Sequence, residues 1–327
     1  MRVICWLIML FSVLFVNAQV DYTSEWRDLF SYNQVLALDK SPSSFYALTE
    51  NAVFSYDYGS SEIKKISSVN GLSGGNTSAI NYDEANQVLA IGYDTGLLEM
   101  VSSNGSVKKI VDIEISDISL EKAINSIVSY NNNLLLALEF GIVVYDLLSL
   151  EFGDTYFIGE NSTSVNVTDV LIQNDKIYAT SSDGVYIANL NDNLNDSSNW
   201  VKYSDGIYSN LTNFNDKVYL TKDKILYEIL SDNSLVAKVT LSSNIIDTGH
   251  SELNIVLATS KQAFVYDVDF SLIASSNSTS YNFGSVVLNN TIVYLGTESA
   301  GVVSNSISSI NDFEEIAPVG PVSNKLF

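Results

Sequence analysis

A sequence unit that recurs about every forty residues constrains the fold of this chain more than any other feature. Each unit carries a polar turn between its second and third apolar runs, and the intervals between successive turns are 45, 44, 44, 40, 37 and 38 residues. The turns lie at Glu50, Thr95, Glu139, Asp183, Asp223, Ser260 and Glu298. A four-stranded unit of this length is typical of a β-propeller. Seven turns predict an all-β, seven-bladed propeller, with a β-sandwich as the alternative fold.

The apolar runs within each unit have the length and composition of β-strands. The clearest copy contains Ile124–Tyr130, Leu134–Leu138 and Ile142–Asp146, and Asp154–Ile158 is expected to be its fourth strand. Short runs rich in β-branched and aromatic residues favour strands over helices, and the whole chain contains 3 Pro. The Asn-Asn, Asn-Asp and Asp-Gly connectors tolerate the positive φ angles of tight hairpins.

The way in which the ring closes is predicted from the fourth strands. In these segments Lys is flanked by apolar residues, and Lys on an edge strand discourages foreign pairing; they are Ile63–Ile66, Val107–Ile110, Trp200–Tyr203 and Val236–Val239. Glu25–Phe30 resembles them but precedes the first unit, so we expect this N-terminal strand to complete the seventh sheet as a velcro closure. The other three strands of that sheet would come from residues 281–304, and Phe313–Ile316 would be surplus. Deleting Asp21–Phe30 should then open the ring.

The two ends of the chain predict export and a further domain. Residues 1–18 have the pattern of a secretory signal peptide, with Arg2, an apolar run and a small-residue cleavage site at Ala18. The chain's single Cys, Cys5, lies in this segment, so the mature chain should contain no disulfide. We expect a propeller at residues 19–310. Residues 311–327 should begin a further β domain, a truncated second propeller, so the sequence would be a fragment of a longer protein.

The net charge and the numbers of Cys and His residues limit the ligands and reactions that this chain can support. The net charge of −22 excludes a nucleic-acid-binding surface, because a polyanion would be repelled. One Cys and one His exclude a closed zinc site. The single imidazole, His250, is expected in the connector between the first two strands of the sixth unit, as an exposed loop residue rather than a catalytic base. The sequence therefore assigns no catalytic, metal-binding or cofactor-binding residue.

Two polar loops carry weak ligand signals. Residues 191–199 offer many Asn, Asp and Ser oxygens, but the run lacks the glycine and terminal Glu of an EF-hand, so a solvated loop is favoured over calcium binding. Gly71–Gly75 is glycine-rich, but a strand rather than a helix is expected after it. A phosphate cradle needs a helix N-terminus there, so an inter-blade loop is favoured.

Aromatic and basic residues also recur. One Tyr lies in or beside the third strand of most units, and such recurrence favours packing between blades over ligand binding; these residues are Tyr56, Tyr93, Tyr145, Tyr186, Tyr227 and Tyr266. The close Lys pairs Lys64–Lys65 and Lys108–Lys109 lie on expected outer strands. An anionic glycolipid would need a local basic patch, so we expect any such site outside this part of the protein.

Several segments resemble the PorZ family of the type IX secretion system. They are Trp26–Asn33, Ser67–Ser73, Ile91–Glu99 and Gly320–Asn324. The resemblance covers the mature chain, although sensor propellers of two-component regulators share part of these motifs. It implies a surface protein with two propellers and a C-terminal secretion domain. Such a protein would work with a sortase and outer-membrane attachment proteins to put anionic lipopolysaccharide onto secreted cargo.

Three functions remain open from the sequence. The first is a non-enzymatic scaffold at the cell surface or outer membrane, or in the periplasm if the secretion domain is missing. The second is the periplasmic ectodomain of a two-component sensor, which would need a membrane span and a kinase downstream. The third is a polysaccharide-acting enzyme, which would need clustered carboxylates beside Tyr, His or Arg at the axial mouth. With one His in the chain, this third function is the least supported.

Overall fold

The described residues form a ring of seven antiparallel sheets. In the computed structural model, residues 29–232 and 234–321 are described. Each sheet contains four strands hydrogen-bonded in sequence order, from an inner first strand to an outer fourth strand. The prediction of an all-β, seven-bladed propeller is therefore confirmed.

The first four blades follow one another along the chain. Blade 1 contains β1 (Val35–Lys40), β2 (Ser44–Thr49), β3 (Ala52–Asp57) and β4 (Ile63–Ile66). Blade 2 contains β5 (Thr77–Asp83), β6 (Val88–Tyr93), β7 (Leu98–Ser102) and β8 (Val107–Ile110). Blade 3 contains β9 (Ile124–Tyr130), β10 (Asn133–Leu138), β11 (Gly141–Asp146) and β12 (Glu151–Tyr156). Blade 4 contains β13 (Val167–Gln173), β14 (Lys176–Ser181), β15 (Gly184–Asn189) and β16 (Val201–Asp205).

The last three blades complete the ring. Blade 5 contains β17 (Ser209–Phe214), β18 (Lys217–Lys222), β19 (Ile225–Ile229) and β20 (Leu235–Thr240). Blade 6 contains β21 (Asp247–His250), β22 (Asn254–Ala258), β23 (Gln262–Asp267) and β24 (Leu272–Asn277). Blade 7 contains β25 (Phe283–Asn289), β26 (Ile292–Thr297), β27 (Val302–Ser306) and β28 (Glu314–Ile316). The helix α1 (Asp112–Ile115) lies between blades 2 and 3, and 3-10 turns lie at Ser68–Asn70, Glu160–Ser162, Ser197–Asn199 and Ile307–Ser309.

The predicted turns and strands agree closely with the structure. All seven predicted turn residues lie between the second and third strands of their blades. The strand predicted at Ile124–Tyr130 is β9 with the same bounds. The fourth strand of blade 3 is β12, however, which begins three residues before the predicted Asp154 because the hairpin turn after Asp146 is short. Hairpin geometry therefore fixes register where the apolar pattern of an exposed outer strand is weak.

The hydrophobic core lies between the blades rather than within any one of them. The described residues form seven apolar clusters, and each cluster joins two neighbouring sheets. Leu48 and Val53 of blade 1, for example, pack against Leu89 and Ile91 of blade 2. The recurring tyrosines contribute to this packing as predicted: Tyr93, Tyr145, Tyr186 and Tyr266 are buried, and Tyr56 and Tyr227 are half-buried.

The N-terminal velcro closure is wrong for the described residues. The outer strand of blade 7 is β28, whose residues pair with Val302–Ser304 of β27. Phe313–Ile316 is therefore not surplus to the ring, and this strand lies beyond the predicted propeller boundary at residue 310. Residues 25–28 of the predicted closing strand lie outside the described residues, and residues 29–34 form no strand. A further domain after the propeller remains a prediction.

The aromatic pattern near residue 30 has another physical cause. Tyr32 is fully buried between blades 7 and 1, where it packs in one cluster with Val302 and Ile316. The Gly301 N–H donates a 2.8 Å hydrogen bond to the Asn33 carbonyl, which ties the N-terminal segment to blade 7. The N-terminal segment therefore packs its side chains between blades 7 and 1, where the ring closes, and does not add a strand.

Candidate functional site

The axis of the ring holds a polar cavity. It has a volume of about 350 Å³ and is lined by residues from the beginnings of the inner strands of all seven blades or from the residues just before them. The inner strands therefore run in the same direction along the axis. We call the side of the ring where they begin the upper face, and the opposite side the lower face. Asp169 and Asp247 are the two carboxylates that line the cavity.

The inner strands present a free backbone edge to the axis, because each pairs with one other strand only. Unpaired backbone groups at such an edge need partners. Asp247 Oδ2 of blade 6 accepts a 2.7 Å hydrogen bond from the Val286 N–H of blade 7. Asp169 Oδ2 of blade 4 accepts one of 2.9 Å from the Leu211 N–H of blade 5. Each carboxylate therefore joins two consecutive blades.

Similar bonds occur at the other five junctions between blades. They are Asp39 Oδ2 with the Tyr82 N–H, Ser78 Oγ with the Ile124 carbonyl, Asn125 Nδ2 with the Val167 carbonyl, Asn210 Nδ2 with the Ile246 carbonyl, and Lys40 Nζ with the Leu288 carbonyl. We call these seven side-chain-to-backbone bonds the polar belt. The belt links every blade to the next, including the seventh to the first.

The three carboxyl groups of the belt, those of Asp39, Asp169 and Asp247, have raised pKa values. Burial raises the pKa of Asp39 and of Asp169 to about 6, and burial raises the pKa of Asp247 to about 7. All three residues are half-buried as a whole, and the axial cavity reaches Asp169 and Asp247 but not Asp39. Enclosure disfavours the charged form more than the backbone hydrogen bonds favour it.

The lower face contains His250, for which the sequence predicted a connector position. It is instead the last residue of β21 and is half-buried, with its ring centroid 6.4 Å from that of Phe214. Lys40 Nζ donates to the His250 carbonyl, so the ammonium crosses from blade 1 to blade 6. Burial, and then the Lys40 charge, lower the pKa of the imidazole. These residues line a second cavity of about 390 Å³ at the lower face.

The two polar loops have internal partners. In residues 191–199, the Asp196 carboxylate accepts from the Ser198 N–H and hydroxyl, and Asn199 Nδ2 donates to the Asn193 carbonyl. In residues 71–75, the Ser73 N–H donates to Glu99, a fully buried carboxylate of the same blade pair. The described residues contain no group of three or more His, Cys, Asp and Glu side chains placed to share a metal ion.

The Lys pairs on the outer strands also have hydrogen-bond or ion-pair partners. Lys65 Nζ donates to the Val319 carbonyl at 2.8 Å, and Lys108 Nζ donates to the Tyr145 hydroxyl at 3.3 Å. Lys64 and Lys109 form ion pairs with Glu62 and Glu99. Each of these four lysines therefore has a partner, and two of the partners are carboxylates.

Sequence reasoning missed the polar belt and one apolar surface. Asp39, Asp169 and Asp247 each follow apolar or Thr residues at a first strand, and that position was the available signal for the belt. The apolar surface is the connection between blades 2 and 3, where Ile115 and Leu120 are exposed. None of the helices among residues 29–232 and 234–321 is long and apolar enough to cross a membrane.

Comparisons with solved structures show propeller-like relatives at low identity. The structure of PorZ, described as an essential bacterial surface component of the type IX secretion system of Porphyromonas gingivalis, matches with a TM-score of 0.75 and 19% identity over 91% of this chain. The chain spans 40% of that protein. The extracellular domain of a putative one-component system from B. thetaiotaomicron matches with a TM-score of 0.64 and 14% identity, covering 85% of this chain and 40% of that one. The computationally designed protein Ika8 matches with a TM-score of 0.58 and 11% identity, covering 86% of this chain and all of that one.

A comparison of the sequence with family models gives a more specific match than the shared fold of these structures. No curated protein matches the chain at a significant level. Residues 45–201, which run from β2 of blade 1 to the first residue of β16 in blade 4, match the family model of the PorZ N-terminal β-propeller domain of the type IX secretion system. The resemblance of this chain to the PorZ family, predicted from its sequence, is therefore confirmed.

Proposed function

We propose that this chain is the first propeller of a non-enzymatic surface scaffold of a type IX secretion system. In this function it supports the sortase that attaches anionic lipopolysaccharide to secreted cargo. The match of residues 45–201 to the PorZ N-terminal propeller family carries the proposal. Export would depend on the signal peptide predicted at residues 1–18, which lie outside the described residues. A second propeller and a secretion domain would follow in the full-length protein.

The geometry of the axial cavity supports a scaffold rather than an enzyme. A glycosidase needs one carboxylate free to donate a proton and a second free to attack or to activate water. Asp169 and Asp247 each accept two backbone N–H groups, one from the next residue and one from the next blade. In each carboxylate, Oδ2 joins two blades and Oδ1 accepts from the next residue of its own strand, so both oxygens already have backbone donors. Any contact with a partner then falls to the surface of the ring.

Binding to the sortase tests this function directly. The full-length protein is immobilised, and the purified sortase of the same bacterium is titrated over it. We expect saturable binding that an unrelated β-propeller of comparable negative charge does not show. An affinity no greater than that of the control propeller would contradict the scaffold function.

A sensor ectodomain is the second candidate. The observation that favours it is the fold similarity to the extracellular domain of a putative one-component system. A sensor requires a membrane-spanning segment and a cytoplasmic output domain in the same polypeptide. Fractionation of the full-length protein distinguishes the two, because a sensor is retained in the inner membrane and a type IX scaffold is recovered with the outer membrane or cell surface.

A further inference from the structure

The connection between blades 2 and 3 differs from the other connections on the upper face. It spans residues 111–123, and we call it the blade 2–3 loop. It is the longest of the six described connections from an outer strand to the next inner strand. The connections after blades 4, 5 and 6 span only residues 206–208, 241–246 and 278–282. The connection between blades 2 and 3 therefore offers more chain to the upper face than any of the other five.

The blade 2–3 loop is firmly anchored. Ile113 is buried in the cluster that joins these two blades. Gly96, which has a φ of +88°, lies directly beneath Ile113 and Lys122, where a Cβ atom would be within 3.0 Å of both side chains. Lys122 Nζ donates to the carbonyls of Glu114 and Ser116 at 2.8 and 2.7 Å. A loop fixed in this way loses little conformational entropy when a partner binds.

The anchored loop presents apolar side chains to solvent. Ile115 is 73% exposed, Leu120 is 45% exposed, and Val111 and Ile118 are 39% and 37% exposed. All four lie within ten residues of one another, on the loop in which Ile113 is buried. Exposed apolar residues clustered in this way mark interaction sites more often than single exposed ones do.

The charges around these side chains select the kind of partner. Asp112, Glu114, Asp117 and Glu121 carry negative charge within the loop. The one basic residue of the loop, Lys122, is bonded to two backbone carbonyls. The loop therefore repels an anionic membrane or glycan, and it also repels a second copy of a chain whose net charge is −22. A complementary surface has an apolar centre and a basic rim.

We propose that the blade 2–3 loop is a docking surface for a protein partner that presents an apolar pocket bordered by Lys and Arg side chains. The inference rests on the proposed function, in which the sortase is the partner, and it names the surface that the sortase contacts. Ile115 is the central contact because it is the most exposed apolar residue of the loop. The acidic residues beside it orient the partner and raise the association rate.

The experiment compares two double variants of the full-length protein in binding to the purified sortase. Ile115→Asp/Ile118→Asp changes the loop, and Leu148→Asp/Leu253→Asp is the matched control. Leu148 and Leu253 are 70% and 69% exposed and lie in hairpin turns on the lower face. We expect at least a tenfold loss of affinity for the loop variant and less than a twofold change for the control. Equal affinities of the loop variant and the wild type overturn the inference.

Further measurements separate the possible failures. The control variant should melt at the wild-type temperature, because Leu148 and Leu253 are 70% and 69% exposed. The loop variant is compared with the wild type well below its own melting temperature, because Ile118 is only 37% exposed. Asp117→Lys/Glu121→Lys should weaken binding and reduce its dependence on salt concentration, whereas an unchanged salt dependence would contradict the basic rim.

If the wild type does not bind the sortase, the proposed function itself fails. If binding persists without the loop contacts, only the docking surface is wrong. A concentration-dependent dimer that Ile115→Asp abolishes would assign the surface to a second copy and overturn the inference.

Discussion

Asp247 Oδ2 accepts a hydrogen bond of 2.7 Å from the backbone N–H of Val286, and this bond crosses from blade 6 to blade 7. Val286 is buried on the inner strand of its sheet. Its N–H lies on the edge that no other strand covers, so the carboxylate takes the place of a strand partner. The same logic applies to Asp169 with Leu211 and to Asp39 with Tyr82. A propeller whose sheets share no strand is thus also joined at its axis by side chains.

Removing one belt carboxylate should destabilise the ring. In Asp247→Ala, the Val286 N–H loses its acceptor, and a buried donor left unsatisfied costs about 1–3 kcal/mol. Urea unfolding at pH 7 measures the change in the free energy of unfolding. The matched control is Asp154→Ala on the exposed outer strand β12, which should change stability by less than about 0.5 kcal/mol. Equal unfolding midpoints for the two variants would contradict a stabilising belt.

The belt should also make the stability of the propeller depend on pH. The pKa values of Asp39 and Asp169 are raised to about 6 and that of Asp247 to about 7, above the ordinary value of 3.8. The folded state therefore holds protons that the unfolded state releases. The stability that the folded state gains by keeping these carboxyl groups protonated is fully present below about pH 4, and it is lost as the pH rises through 6 and 7. At about 1.4 kcal/mol per pKa unit, each carboxyl contributes at most about 3–4 kcal/mol, and less where the cavity admits water.

Urea midpoints between pH 4.5 and 8 check this dependence. We expect the midpoint to fall with rising pH in the wild type, and to fall less in the variant Asp39→Asn/Asp169→Asn/Asp247→Asn. His250 acts in the opposite sense, because its lowered pKa makes the folded state lose protons first. Overall repulsion among acidic groups also grows with pH, so three exposed Asp→Asn changes serve as the charge-matched control. A wild-type midpoint that rises from pH 5 to 8 would be incompatible with three buried, protonated carboxyls.

The sequence predicted the repeats better than it predicted the contacts between them. Turn residues such as Thr95 and Asp183 are polar because hairpins require them, so their spacing revealed the blades. Outer strands could be predicted where Lys is flanked by apolar residues, as in β4 and β8. β28 is three residues long and reads Glu-Glu-Ile, which is too short to show a period. The segment Glu25–Phe30 resembles an outer strand in sequence, but Phe30 instead packs against the apolar cluster between blades 7 and 1.

The polar belt and the blade 2–3 loop depend on tertiary structure. Asp39 and Asp247 are separated by more than two hundred residues, and only ring closure brings their strands to one axis. Ile113 and Ile115 are chemically identical, yet one is buried and the other is 73% exposed. The sequence alone does not show which of these two isoleucines is buried. The lysine that fixes the loop, Lys122, also gave no local signal, because its acceptors are backbone carbonyls.

Disulfide trapping tests how the ring closes. Ser304 of β27 and Glu314 of β28 are direct partners in the ladder, and antiparallel partners have Cα atoms close enough for a disulfide. Residues 19–327 contain no other Cys to interfere. We expect Ser304→Cys/Glu314→Cys to form the disulfide on mild oxidation and to melt at a higher temperature than its reduced form. The comparison variant is Ser304→Cys/Leu29→Cys. A disulfide in the comparison variant but not in the first would restore the N-terminal closure.

A buried carboxylate should fix the loop that joins blades 1 and 2. Glu99 is fully buried, accepts a hydrogen bond from the Ser73 N–H at 2.9 Å, and also accepts one from the Tyr93 hydroxyl. Glu99→Ala should cost about 1–3 kcal/mol because both donors lose their acceptor. It should also speed hydrogen exchange at Ser73. The Glu84→Ala change, on an exposed turn of blade 2, serves as the control. Unchanged exchange at Ser73 would show that Glu99 does not hold the loop.

The central claim, that the protein is a scaffold of cargo attachment, is tested most directly by the fate of the cargo. The full-length gene is deleted in the source bacterium, and the fraction of secreted cargo that carries anionic lipopolysaccharide at the cell surface is measured. We expect this fraction to collapse and to return when either the wild-type gene or His250→Ala is supplied, because the proposed scaffold function requires no imidazole. Normal cargo attachment in the deletion strain would contradict the account, and restoration by the wild type but not by His250→Ala would contradict its non-enzymatic part.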